Sequence, residues 1–185
     1  MNPDSRLSRA LALIDAANTA DPKDQALAYG QRMTAELARL FPDASDILQI
    51  AARGQHVERW LLPRSDFPAG KEGYLAWRRE QARSHALRVG GIMADAGYPP
   101  QDCDRVGVLL RKEGLKRDPE VQALEDVICF VFLRWYFQPF ADSREPAGDL
   151  LDIVTKTARK MSAEGRARAL AEFALPEPFA AAFRV

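Results

Sequence analysis

Residues 47–65, ILQIAARGQHVERWLLPRS, decide the fold of this chain. The apolar residues of this stretch recur at helical spacing: Ile47, Ile50, Ala51 and, past Gly54, Val57. A helix with this pattern is predicted to be buried along much of its length, so the polar cluster at its end must face a cavity. That cluster contains Arg53, Gln55, His56, Glu58, Arg59, Trp60 and Arg64. Because an unpaired buried charge costs roughly 3–5 kcal/mol, the cluster is predicted to be a satisfied structural network or a binding site.

The flanking sequence predicts further helices. Helix starts are indicated by Asp4 or Ser5, by Ser45, by Asp118 before Pro119 and by Ser162, because these residue types cap helix N-termini. Apolar spacing predicts helices over about 5–20, 23–40, 74–96, 100–112, 119–138, 149–160 and 162–174, with a short turn near the end. Prolines and glycines predict an irregular loop between residues 62 and 73. Since alternating strand patterns are absent, the sequence predicts an all-α protein.

Composition narrows the class of protein. The 185 residues suit one domain spanning 1–185, and 47% apolar with 28% charged residues is typical of a soluble globule rather than a disordered chain. Twenty-six basic side chains balance 26 acidic ones, so no overall field draws the protein to nucleic acid or anionic membranes. A basic site, if present, must therefore be local.

The chain is expected to be cytoplasmic. Its first thirty residues contain four aspartates and lack the apolar run of a signal peptide. The most apolar stretch, VICFVFLRWYF, is too short to span a bilayer and contains an arginine. Cys103 and Cys129 lack zinc-site spacing and are expected to be free thiols.

Few ionisable residues lie on otherwise apolar faces, and these are the candidates for chemistry: Arg53, His56, His85, Glu125 and Asp126. Imidazole and carboxylate together suit a divalent metal such as manganese, iron or zinc, or a general acid–base pair. The alternative is structural: each histidine is a satisfied core residue and Asp126 pairs with a buried arginine. Both interpretations stay open at this point.

A second candidate set is basic and comprises Arg53, Arg59, Arg64, Arg111, Lys112, Lys116 and Arg117. Guanidinium groups bind phosphate through two hydrogen bonds, and the helix start at Asp118 adds backbone amides. A solvated surface is the alternative for RKEGLKR. The absence of Walker, GxSxG and HExxH motifs leaves kinase, lipase-like and zincin activities without support.

Nearly the whole chain resembles the domain-of-unknown-function family 4202. The resemblance rests on LALIDAANTADP, YGQRMTAELARLFPDASDILQIAARGQHVERWLLPRSDFP, GYLAWRREQARSHA and LLRKEGLKRDPEVQALEDVICFVFLRWYF. Members of that family have no assigned activity. Some carry a glutamyl-tRNA synthetase label, but no synthetase motif is present here.

A more remote resemblance is to the HD-domain metal-dependent phosphohydrolases, a helical fold whose ligands are a His, an adjacent His-Asp pair and a later Asp. The segment that carries the His-Asp pair in that family is similar to LQIAARGQHVERW, in which His56 matches the histidine. The segment that carries the last aspartate is similar to LLRKEGLKRDPEVQALEDVICF, in which Asp126 or, less closely, Glu125 is the ligand. Val57 stands at the position of the aspartate of the His-Asp pair. Gln31-Arg32 lie near the position of the first histidine ligand of that family. A site that lacks two of four ligands either binds no metal or recruits His85 or Glu58.

The resemblance implies a single HD-like helical domain with a degenerate ligand motif. Its predicted metal ligands are His56, His85 and Asp126, with Glu125 and Arg53 as further catalytic residues. The substrate-binding set is Arg59, Arg64, Lys112, Lys116 and Arg117. The expected function is metal-dependent hydrolysis of a small phosphorylated metabolite or nucleotide. A non-catalytic anion- or nucleotide-binding protein is the first alternative and an RNA-contacting or structural protein the second, which the neutral charge disfavours; the oligomeric state stays open.

Overall fold

The computed structural model of this chain describes residues 5–138 and 147–184. All regular elements within those residues are helical, so the predicted all-α class is confirmed. The chain divides after Glu113 into two compact units, called unit 1 and unit 2 below. The single domain over 1–185 stays a prediction.

In unit 1, residues 5–113 form five α-helices and two single 3₁₀ turns. The helices are α1 Arg6–Asn18, α2 Gln25–Leu40, α3 Asp46–Arg53, α4 Gly70–Asp95 and α5 Pro100–Arg111, and the 3₁₀ turns are Arg59–Leu61 and Arg64–Asp66. The long helix α4 packs along α5 and also contacts α1, while α3 contacts α1, α2 and α5. The centre of the unit is filled by fully buried apolar side chains, among them Ile14, Met33, Ile50, Val89 and Leu109.

Unit 2 begins with α6, Pro119–Val131, which passes into one π-helical turn, Phe132–Tyr136. Helices α7 Ala147–Lys160, α8 Ala163–Glu172 and α9 Phe179–Phe183 follow. Its core holds Leu124, Phe130, Val154, Met161 and Ala169. The predicted helix stop at Pro139 lies outside the described residues.

Local capping explains where many of the helices begin. The side chains of Ser5, Ser45 and Ser162 each accept a hydrogen bond from a backbone N–H three residues later, and Asp118 accepts from residues 120 and 121. These predicted starts are confirmed, and Asp4 lies outside the described residues. A side-chain cap stabilises a helix by about 1 kcal/mol, which is enough to fix its first residue.

Two predicted boundaries are wrong. Helix α3 ends at Arg53 instead of continuing past Gly54 to Val57, because the backbone leaves the helical conformation at Gly54, whose ψ is 3°, and Glu58 turns the chain with a φ of 51°. Gly54 packs so closely on Val89 that an added Cβ would lie 2.5 Å away. Helix α4 begins at Gly70, inside the predicted loop. Gly73 makes this possible, since an added Cβ would lie 1.9 Å from the carbonyl oxygen of Pro68.

Within the described residues, none of the helices is both long enough and apolar enough to cross a membrane. Cys103 and Cys129 are both free, and Cys129 is buried in α6.

Candidate functional site

Helix α4 presents three polar or aromatic side chains along one face. Trp77, Gln81 and His85 follow each other at four-residue intervals, which places them on the same side of a helix. Trp77 is half-buried, whereas Gln81 and His85 are almost fully buried. The predicted burial of His85 is thereby confirmed.

The 3₁₀ turn Arg59–Leu61 lies against this face and is tied to it by hydrogen bonds. The Gln81 Nε2 donates to the carbonyl oxygens of Arg59 and Leu62 at 3.0 and 2.8 Å, and the Trp77 Nε1 donates to the same Leu62 oxygen at 2.9 Å. The guanidinium carbon of Arg59 lies over the Trp77 ring, 4.6 Å from its centroid. Stacking of this kind leaves the N–H groups in the guanidinium plane free to point elsewhere.

The turn that follows α3 brings His56 to the same place. Its ring stacks on Tyr29 of α2 with centroids 3.8 Å apart and planes 15° apart, and its centroid lies 6.1 Å from that of His85. Tyr29, His56, Arg59, Trp77, Arg78 and His85 are called the aromatic–cationic cluster below.

The charges around the two imidazoles are positive. Burial, followed by the charges of Arg59 and Arg78, lowers the pKa of His85 from 6.5 to about 3. Burial lowers the pKa of His56 well below 6.5, with further lowering by Arg59, His85, Arg78 and Lys112. Burial and the nearby Arg78 also lower the pKa of Arg59. Both imidazoles are therefore neutral at pH 7, beside cationic side chains.

Two polar groups in this cluster lack a hydrogen-bond partner within the described residues. The His85 Nε2 is buried and makes no hydrogen bond within the described residues, although the side chain is only 4% exposed. The half-buried guanidinium of Arg59 makes no hydrogen bond or ion pair in that part of the chain. Buried polar atoms are normally satisfied, so the unpartnered Nε2 of His85 makes this cluster a candidate for ligand binding.

The cluster is better suited to an anion than to a metal ion. The described residues contain no group of three or more His, Cys, Asp or Glu side chains that could hold a metal. Arg59 and Arg78 beside both imidazoles would repel a divalent cation and attract a phosphate group. The imidazole pair therefore does not fit the metal that the HD resemblance implies.

Other predicted site residues of unit 1 form contacts within the protein that stabilise neighbouring segments. Arg53 pairs with Asp15 of α1 through its Nε at 2.6 Å and its Nη2 at 2.5 Å, and it also donates to Thr34. Arg64 donates to the carbonyl oxygens of residues 67, 68 and 70 and so holds its own loop. Lys112 ends α5 with a φ of 60°, and its charge acts on His56.

Asp126 belongs to unit 2, where its carboxylate is fully engaged. Its Oδ1 accepts from the Ser162 backbone N–H at 2.8 Å and from Gln122 at 3.0 Å, and its Oδ2 accepts from the Ser162 hydroxyl at 2.6 Å. Burial raises the pKa of Asp126, and the hydrogen bonds from Ser162 and Gln122 oppose that rise. Asp126 thus anchors the start of α8, and its predicted metal role stays a prediction.

The remaining predicted residues also lie in unit 2. Glu125 is buried, with its Oε1 3.9 Å from the Nζ of Lys160. The Nζ of Lys116 donates to the carbonyl oxygen of Met161 at 2.6 Å, whereas Arg117 is exposed. Lys116 is therefore committed to a backbone contact, and Arg117 is a solvated surface residue.

Sequence reasoning did not identify Tyr29, Trp77, Arg78 or Gln81 as candidate site residues. The spacing of residues 77, 81 and 85 offered a signal for Gln81, because that spacing places an amide on the buried face that His85 shares. The contact of His56 with Tyr29 has no such signal, since 27 residues separate them in the chain.

The chain matches one family model, described as "Domain of unknown function (DUF4202)", over residues 8–182. The search of curated proteins gave no match. The search of solved structures gave none either.

Proposed function

We propose that this chain, which belongs to the DUF4202 family, binds the phosphate group of a small phosphorylated ligand at the aromatic–cationic cluster of unit 1. Family membership supplies no activity, so the proposal rests on the cluster itself. The proposed role is the one expected from the sequence as the first alternative to hydrolysis, a non-catalytic anion- or nucleotide-binding protein.

One observation carries the proposal: the Arg59 guanidinium is half-buried, stacked on Trp77 and without a counter-ion in the described residues. A cation in that position has a lowered pKa because burial and Arg78 disfavour its charge. An anion that accepts hydrogen bonds from the guanidinium edge removes this cost. The buried Nε2 of His85 adds a further hydrogen-bonding group within the same cluster.

Metal-dependent phosphohydrolysis, the leading expectation from the HD resemblance, stays a prediction that this cluster does not favour. Its metal would need carboxylates beside His56 and His85, whereas the charges acting most strongly on both are cationic. In the proposed role the arginines supply the positive charge that the metal would otherwise supply. The cytoplasmic location is a separate expectation, and the two free thiols agree with it because thiols stay reduced there.

Phosphate titration of the full chain by isothermal calorimetry tests the proposal. Arg59→Gln should weaken phosphate binding by about 1.5–3 kcal/mol, or roughly 10- to 150-fold, because it removes the hydrogen bonds of a charged donor. Arg83→Gln is the matched control, since Arg83 is exposed on α4 and carries the same charge.

Wild-type protein that does not bind phosphate, or an Arg59→Gln variant that binds as tightly as the Arg83→Gln control, would refute the proposal. Release of phosphate from phosphate esters by metal-loaded protein, with activity lost in His56→Gln, would instead support the phosphohydrolase.

A further inference from the structure

We infer that Gln81 is a positioning residue for anion binding, acting through Arg59. This inference rests on the proposed function, because Arg59 is the proposed phosphate-binding group. Neither family resemblance assigns Gln81 a role, and it is not among the site residues predicted from the sequence.

The argument starts from the two hydrogen bonds of the Gln81 amide. Its Nε2 donates at 3.0 Å to the carbonyl oxygen of Arg59 and at 2.8 Å to that of Leu62. Arg59 is the first residue of the 3₁₀ turn and Leu62 is the residue directly after it, so one amide nitrogen holds the backbone at both ends of the turn. The side chain is 2% exposed, which shields both bonds from competition by water.

Helix α4 supplies the frame to which the turn is fixed. One helical turn before Gln81, Trp77 donates to the same Leu62 oxygen and places its ring beneath the Arg59 guanidinium. One helical turn after Gln81, His85 presents its buried, unpartnered Nε2. The spacing of residues 77, 81 and 85 therefore sets where the backbone of Arg59 lies relative to both Trp77 and His85.

The backbone around Arg59 needs this support. Glu58, the preceding residue, has a φ of 51°, a conformation that side chains other than glycine rarely adopt. Glu58 is held by its N–H, which donates to Asn18, and by an ion pair with Arg88. Without the amide of Gln81, the carbonyl oxygens of the turn lose their shared donor, and the guanidinium loses its fixed position over the indole ring. A group fixed before the ligand arrives binds more tightly than one that must be ordered by the ligand.

A double-mutant cycle distinguishes positioning from a general structural role. Phosphate affinity is measured by calorimetry for the full-length wild type, Gln81→Met, Arg59→Lys and the double variant. Arg59→Lys keeps a charge, so residual binding stays measurable, but it lacks the planar group that stacks on Trp77. Gln31→Met, an exposed glutamine on α2, is the matched control.

Partners that orient a ligand-contacting group in metal sites change affinity by 10- to 100-fold, and we expect Gln81→Met to weaken phosphate binding by about tenfold. In the Arg59→Lys background the same substitution should change affinity less than about twofold, because the group that Gln81 positions is gone. The Gln31→Met control should bind like the wild type. If Gln81→Met does not fold, Gln81→Asn, which is one methylene too short to reach both carbonyls, takes its place in the cycle.

Equal losses in both backgrounds, or no loss in either, would overturn the positioning role while phosphate binding by the wild type still stands. Wild-type protein that binds no phosphate would overturn the proposed function and the role of Gln81 together. The same set of titrations therefore distinguishes failure of the Gln81 role from failure of the proposed phosphate binding.

Discussion

Acidification should destabilise this protein through His85. The pKa of His85 is about 3 in the folded chain, compared with 6.5 for an unperturbed histidine. Between these two pH values the unfolded chain binds a proton at His85 that the folded chain does not bind. The contribution of neutral His85 to the free energy of unfolding is therefore complete above pH 6.5 and is lost as the pH falls. At pH 5 the unfolded imidazole is almost fully protonated, 1.5 pH units below its pKa. At 1.36 kcal/mol per unit, His85 should lower the free energy of unfolding by about 2 kcal/mol between pH 7.5 and pH 5.

Urea unfolding at several pH values measures this loss against a His85→Gln variant. Glutamine does not titrate, so the stability of the variant relative to the wild type should improve by about 2 kcal/mol from pH 7.5 to pH 5. His56→Gln should shift the same way, because the pKa of His56 is also lowered. An Arg83→Gln control should follow the wild-type curve. A His85→Gln curve parallel to that of the wild type would show that His85 is not held neutral, which would contradict its burial beside the cationic side chains of Arg59 and Arg78.

Three further predictions concern metal binding, Asp126 in unit 2 and the basic turn, RKEGLKR at residues 111–117. Dialysis against a chelator should leave phosphate affinity unchanged, and calorimetry before and after dialysis checks this; a loss that manganese or zinc restores would favour a metal centre. Asp126→Ala should lower the free energy of unfolding in urea melts by about 1–3 kcal/mol because it leaves the partly buried donors of Ser162 without an acceptor, and a neutral result would contradict the anchoring role of Asp126. The Lys116→Ala, Arg117→Ala double variant should keep the full phosphate-induced rise in melting temperature, whereas loss of that rise would return the phosphate site to the basic turn.

Helix starts could be predicted from the sequence because capping is local. Ser45, Asp118 and Ser162 each act within three residues of themselves, and Pro119 follows directly after its cap. The end of α3 was harder to predict, because the apolar pattern continues past Gly54 to Val57 while the helix stops at Arg53. Gly54 packs against Val89, 35 residues away in the chain, and local spacing gives no sign of that contact.

In the candidate site, too, local features could be predicted from the sequence, whereas contacts between distant segments could not. His56 and His85 stand out in the sequence because ionisable groups on apolar faces need partners, and Arg59 stands out as part of a basic set. Which partners they have depends on contacts between distant segments. Arg53 was predicted to be catalytic, yet it pairs with Asp15, 38 residues earlier in the chain. Asp126 likewise finds its donors on Ser162, 36 residues later. No spacing rule connects such residues, so the sequence identified reactive groups without identifying their surroundings.

The most direct test of the account is to observe which side chains respond when phosphate binds. In a phosphate titration followed by ¹⁵N NMR, the Arg59 Nε–H, the Trp77 Nε1–H and the His85 ring nitrogens should shift together with one dissociation constant. The Arg117 Nε–H should not move. Shifts at Arg117 without shifts at Arg59, or no shifts at all, would contradict the claim that the aromatic–cationic cluster binds phosphate.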